Sequence, residues 1–166
     1  MSITTEAPTL PALLRDLADT CIEVLPKADG CGLSMLTTDG RRITSVATDV
    51  TGEQLNALHD RYRDNPCAEA WRHAAVVKAA TSSTAGRWPQ WMTRVHDLGV
   101  GSVLTTGLHT AERRIGTVMV FSSEAGAFGA ADVASLSVFA RTAAARIDAL
   151  QSGRTGSGTT VLGEAS

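Results

Sequence analysis

The sequence predicts an α+β fold: one antiparallel sheet, with two terminal helices on one face and short mid-chain helices on the other. Three observations carry this. The elements follow the order helix, hairpin, short helices with a short strand, hairpin, long helix. The strand runs are more apolar than strict alternation gives, which fits a sheet covered on both faces. The first and last helices each show a single apolar stripe, as helices packed on a sheet do.

The first helix lies in "PTLPALLRDLADTCIEVLP", where Leu10, Leu14, Leu17, Cys21 and Val24 form one stripe and Pro26 ends it. "CGLSMLTTDGRRITSVATD" reads as a hairpin turning at Asp39-Gly40, a strong two-residue turn signal. "TGEQLNALHDRY" is a short helix started by Thr51. In "NPCAEAWRHAA", Asn65 is a good N-cap residue and Pro66 suits the first helical position. "VVKAA" is a short strand, and "STAGRWPQWMTRVHDLG" a helix with Pro89 near its start and Gly99 beyond its end. "VGSVLTTGLHTAERRIGTVMVFSS" is a second hairpin, turning at Ala111–Arg113. The last helix repeats Val133, Leu136, Ala140, Ala143, Ile147 and Leu150 at spacings of three and four. Such a seam serves either the helix's own sheet or a second subunit, and sustained heptads favour helix pairing. The domain therefore spans residues 10–150, with a flexible start at 1–9 and a Gly/Ser/Thr-rich, disordered tail at 151–166.

The chain has 166 residues, within the roughly 100–200 of a single domain. Such a body buries about two-thirds of its surface and needs neither disulfide nor metal for stability. Fifteen basic and 17 acidic residues leave a net charge of −2, which gives no basic footprint for direct nucleic-acid or membrane binding. No secretion signal opens the chain, and no apolar run approaches the ~18 residues of a membrane span. Cys21, Cys31 and Cys67 are odd in number and widely spaced, which suits reduced thiols in the cytoplasm.

"ADGCGLSML", "DNPCAEAWRHAAVV", "GRWPQWMTRVHDLGVGSVLTTGL" and "RRIGTVMVFSSEAGAFGAADVASLSVFARTAA" stand in the order of a GAF domain. The chain resembles that family over about residues 10 to 150, most of all the actinobacterial GAF domains that precede ANTAR RNA-binding modules. The more specific parts are the Pro-Cys and Trp-Pro helix starts, Ile115-Gly116, and Phe128 with Asp132. The resemblance implies a sheet of five or six strands, a sensory pocket and dimers through terminal helices. GAF domains bind cyclic nucleotides, haem, bilins or small metabolites, so the resemblance leaves the cofactor unknown. An ANTAR module needs roughly fifty further residues, so the expectation is either a stand-alone GAF domain, the first choice, or a shortened GAF-ANTAR regulator.

The candidate chemistry centres on Cys67, at the second position of its helix. The helix dipole there is worth ~0.3–1 kcal/mol, which lowers a thiol by less than about one pKa unit. From ~8.5 that leaves mostly thiol, so Cys67 reads as a buried or pocket-wall residue before a redox one. Free methionine-sulfoxide reductases are similar in size and fold, but they use a Cys-Asp motif in the segment that here reads "TSSTAGRWPQW". No cysteine follows Cys67. The bilin-attaching Cys-His pair and the Asn-Lys-Phe-Asp-Glu pattern of cyclic-nucleotide GAF domains are also absent. His59, His73, His96 and His109 form no metal motif.

Trp71, Trp88 and Trp91 all lie on the mid-chain helices, either as core or as the wall of an apolar ligand site. Met35, Thr105, Thr106 and Met119 could supply the floor, depending on a one-residue register. Arg41-Arg42 and Arg113-Arg114 sit at the hairpin tips and are expected to be solvated. The reading is a non-enzymatic sensory or regulatory domain, homodimeric, with Cys67, Trp71, Trp88, Trp91, Met35, Thr105 and Met119 around a small ligand. A Cys67-based redox sensor or reductase, and an interaction module with a collapsed pocket, are the alternatives.

Overall fold

A computed structural model describes residues 9–80 and 87–165, with side chains to residue 153. The expected flexible start lies outside the described residues except for Thr9, as does the stretch 81–86 before the Trp-Pro helix. The elements run α1 (Leu10–Val24), β1 (Gly30–Leu36), β2 (Arg42–Ala47), α2 (Val50–Arg61), α3 (Pro66–His73), β3 (Val77–Ala80), α4 (Pro89–Asp97), β4 (Ser102–His109), β5 (Arg114–Ser122) and α5 (Ala130–Ala165). Five strands form one antiparallel sheet in the order β2-β1-β5-β4-β3. The α+β architecture matches the sequence expectation.

Alternation along the strands sorts the core into two halves. Cys31, Leu33, Met35, Leu104, Leu108, Val118 and Val120 meet α1 and α5 on one face. Val103, Met119 and Phe121 meet α2, α3 and α4 on the other, with Leu55, Ala70, Trp91 and Val95. Both faces are covered by helices, which is why the strands read as near-continuous apolar runs.

The stripe of α5 closes on the molecule's own sheet. Leu136, Ala140, Ala143 and Ile147 are all buried in the core under α1 and α5, with Val133 and Leu150 packed at its margin. The helix then continues to Ala165 through the segment whose composition predicts a disordered tail. Its glycines are weak helix formers. Extension from an already nucleated helix, however, adds one bond per residue fixed. Asp132 accepts from Gly129 N at 2.8 Å and faces Lys27 Nζ at 3.4 Å, holding the start of α5 to the end of α1.

Local starts and turns differ in places from expectation. Helix α2 begins one turn's cap earlier: Asp49, not Thr51, accepts from Gly52 N at 2.8 Å. In α1, Val24 is 44% exposed, and Leu25, at the helix end, is buried in its stead. The first hairpin has no two-residue turn at Asp39-Gly40. It carries a five-residue loop, 37–41, closed by Thr37 N to Arg41 O at 2.8 Å and Gly40 N to Thr37 O at 2.9 Å. A register shift at Met35/Leu36 accompanies it. Gly40 supplies the positive φ of 86° that the loop needs.

Candidate functional site

Helix α3 is started as its sequence dictates. Asn65 caps it, accepting from Ala68 N at 2.9 Å while its own amide donates to Tyr62 O at 2.7 Å. Pro66 takes the first helical position, so Cys67 is second. Ala74 ends the helix in the left-handed region. The helix lies over β4 and β5, and together with α2 and the 37–41 loop it walls a cleft of about 380 Å³.

The floor comes from strand register. Ser34 on β1 pairs directly with Thr117 on β5, so both hydroxyls stand on the mid-chain face. Leu36 pairs with Arg42, which brings Arg42 onto the same face. The expectation of a solvated Arg42 at the hairpin tip is therefore not met. Its side chain is only 17% exposed, with Nη1 3.4 Å from Asp60 Oδ2. Its Nη2 is enclosed and has no hydrogen-bond partner among the described residues. His59, one turn back from Arg63 on the chain, contributes an equally enclosed and unpartnered Nε2. A buried donor left without a partner costs ~1–3 kcal/mol, and more when charged.

The electrostatics keep His59 and Cys67 neutral. The His59 ring stacks on Trp91 at 6.0 Å between centroids. Burial, and then the nearby Arg42 charge, push its pKa down to about 3. Cys67 is 4% exposed, and burial pushes its thiol up to about 12. Its Sγ lies 3.2 Å from Thr105 Oγ1, which donates to Val118 O at 2.9 Å. Cys21 and Cys31 belong to the core under α1 and α5, so the sheet separates them from Cys67. All three thiols are free.

Of the residues expected around a ligand, Cys67 and Trp71 line the cleft. Trp88 and Trp91 border a separate depression of about 310 Å³ with Tyr62 and Gln90. Trp88 stands at φ 58°, ψ 52°, although the residue before a proline favours extended backbone. The guanidinium of Arg87 lies 4.3 Å from its ring centre, and the side chain is buried. Thr105 and Met119 are packed beneath α3 and do not reach the cleft. Met35 lies on the opposite face, in the core under the terminal helices, because side chains alternate along β1. Thr106, likewise on the opposite face, borders a shallow groove of about 250 Å³ beside α5.

Ser34, Arg42, His59 and Thr117 escape a search for aromatic and thiol groups. For Ser34 and Thr117 the signal is a polar residue inside an otherwise apolar strand run, the kind of burial that asks for a reason, whereas Arg42 and His59 stand in polar stretches that give none. Arg113 is likewise engaged, donating to Asp148 Oδ1 at 2.9 Å, and Arg114 lies 6.0 Å from the Trp71 ring centre. Among the described residues no group of three or more His, Cys, Asp or Glu could hold a metal ion. Among them, too, no helix is long and apolar enough to cross a membrane.

A family model described as "GAF domain" matches residues 7–148. Among solved structures, the chain is similar to a domain of a putative two-component sensor histidine kinase from Sinorhizobium meliloti 1021. The TM-score is 0.68 at 12% identity, over 90% of this chain and 97% of that one. A GAF domain/HD domain protein from Geobacter sulfurreducens gives 0.66 at 15% identity, covering 89% and 97%. The second GAF domain of DevS from Mycobacterium smegmatis gives 0.58 at 17%, covering 87% and 97%. At these identities the likeness concerns the fold. No curated protein matches the sequence.

Proposed function

The chain belongs to the GAF domain family, and from that premise we propose that it is a non-enzymatic sensory or regulatory domain. It holds a small molecule between the sheet and α3 and signals through a dimer of its terminal helices. The observation behind this reading is the cleft, whose enclosed Arg42 Nη2 and His59 Nε2 have no partner among the described residues. Its volume lies at the small end of the ~300–1,000 Å³ typical of ligand sites. Cys67 and Trp71 then belong to the wall over the ligand. A redox or reductase role for Cys67 is disfavoured by a neutral, enclosed thiol with no second cysteine on its side of the sheet.

The dimer uses the outward side of the terminal helices, where Val24 and Val138 are exposed, since the heptad seam is spent inside the protein. The setting is a reducing cytoplasm, in keeping with three free, buried thiols. The output is signal transduction, and a transcription-linked one is in keeping with the resemblance of the sequence motifs to domains that precede ANTAR modules. Native mass spectrometry of freshly purified protein, with its visible spectrum, tests the reading: a dimer carrying a small adduct is expected. An adduct-free protein that no metabolite stabilises would instead be an interaction module. A ligand at a hundred times its dissociation constant should add ~2.7 kcal/mol.

A further inference from the structure

We propose that the cleft recognises a small carboxylic acid, its head on Arg42, His59, Ser34 and Thr117 and its body against Leu36 and Trp71. This rests on the ligand-binding reading above and names the ligand's chemistry.

The donors converge. Ser34 and Thr117 are cross-strand neighbours, both nearly buried, and neither hydroxyl has a protein partner among the described residues. Arg42 stands on the adjoining strand with Nη2 enclosed and unpaired. His59 faces the same cleft from α2 with an unpaired Nε2, which donates in one neutral tautomer. Hydroxyls and a guanidinium edge together match the acceptor-only oxygens of a carboxylate.

The charge balance selects an anion of low charge. Arg41, Arg63 and Arg72 stand around the cleft with Arg42, in a chain whose net charge is negative. Three of these arginines are paired, Arg41 with Asp39, Arg42 with Asp60 and Arg72 with Asp64, which leaves the charge of Arg63 in surplus and opposes a second negative charge on the ligand. A carboxylate therefore fits better than a dianionic phosphate ester. The remaining lining, Leu36, Cys67, Ala68 and Trp71, offers an apolar bed for a short aryl or alkyl body.

The test is isothermal titration calorimetry of the whole chain with phenylacetate, benzoate and isovalerate. Each is run against its neutral amide, and phenyl phosphate is included. At least one acid should bind at least tenfold more tightly than its amide and than phenyl phosphate. That binding should weaken with salt and fall at least tenfold in Arg42→Gln. If circular dichroism finds Arg42→Gln unfolded, Thr117→Val, with the hydroxyl removed at similar volume, should still lower affinity. Equal binding of acid and amide, or tighter phenyl phosphate, would overturn the carboxylate assignment while leaving a ligand-binding domain. Absence of binding by all three acids would overturn it too, and the mass of a co-purified adduct then judges the broader reading separately.

Discussion

The thiol of Cys67 illustrates how burial outweighs a helix dipole. Its position near the start of α3 favours the thiolate weakly, by ~0.3–1 kcal/mol. Enclosure under α3 acts the other way and dominates, raising the pKa to about 12. Folded protein should therefore resist a thiol reagent at pH 8 and react only after denaturation. Fast labelling of native Cys67 would contradict this. The raised pKa also favours the fold below the thiol's ordinary value near 9, and that contribution is lost as pH rises towards 12. His59 has the opposite dependence. Its neutral form is preferred in the fold, so its contribution is complete above 6.5 and declines as pH falls towards 3. His59→Gln should flatten the acid limb of a stability–pH curve measured by urea unfolding. An unchanged limb would mean that His59 is not the group that titrates there.

Helix α3 depends on one side chain at its start. Asn65 makes two local hydrogen bonds there, so Asn65→Ala should cost ~1 kcal/mol, within the 0.5–2 known for caps. Chemical denaturation would measure it, and a loss below a few tenths would show that water replaces the cap. Strand β5 depends on Gly116. A Cβ at that position would run into the carbonyl oxygen of Ser34 on β1. Gly116→Ala should therefore disturb the β1–β5 ladder and the Ser34–Thr117 floor together, lowering stability and ligand affinity in one step. The Ile115-Gly116 pair stood out in the sequence only by likeness to a family. Its physical reason is this close approach of two strands. The loop after β1 shows the converse, since Asp39-Gly40 is a turn signal whose loop length depends on the pairing around it.

Across the whole molecule, the stripe of α5 has one job: it closes the core under the terminal helices. Ile147→Ala, at a fully buried position, should cost ~2–5 kcal/mol and lower the melting temperature. Val138→Glu, on the 55% exposed outer side, should leave the melting temperature of the monomer almost unchanged and dissociate the proposed dimer. Sedimentation separates the two effects, and an intact Val138→Glu dimer would remove the outer face of α5 as the contact.

Periodicity and capping residues by themselves determined which segments between residues 10 and 150 are helix or strand, that the sheet is covered on both sides, and that Pro66 and Pro89 open helices. These are local properties, set by side-chain spacing and backbone chemistry within a few residues. Tertiary structure alone decided which face each strand residue takes. A shift of one residue exchanges the faces, and no local signal fixes it. That choice sent Met35 away from the cleft and turned Arg42 inward from what reads as a solvated tip. It also joined Ser34 to Thr117, 83 residues apart in the chain, as neighbours on one floor. The cleft is thus a product of long-range pairing, while the helix that roofs it is legible in "NPCAEAWRH".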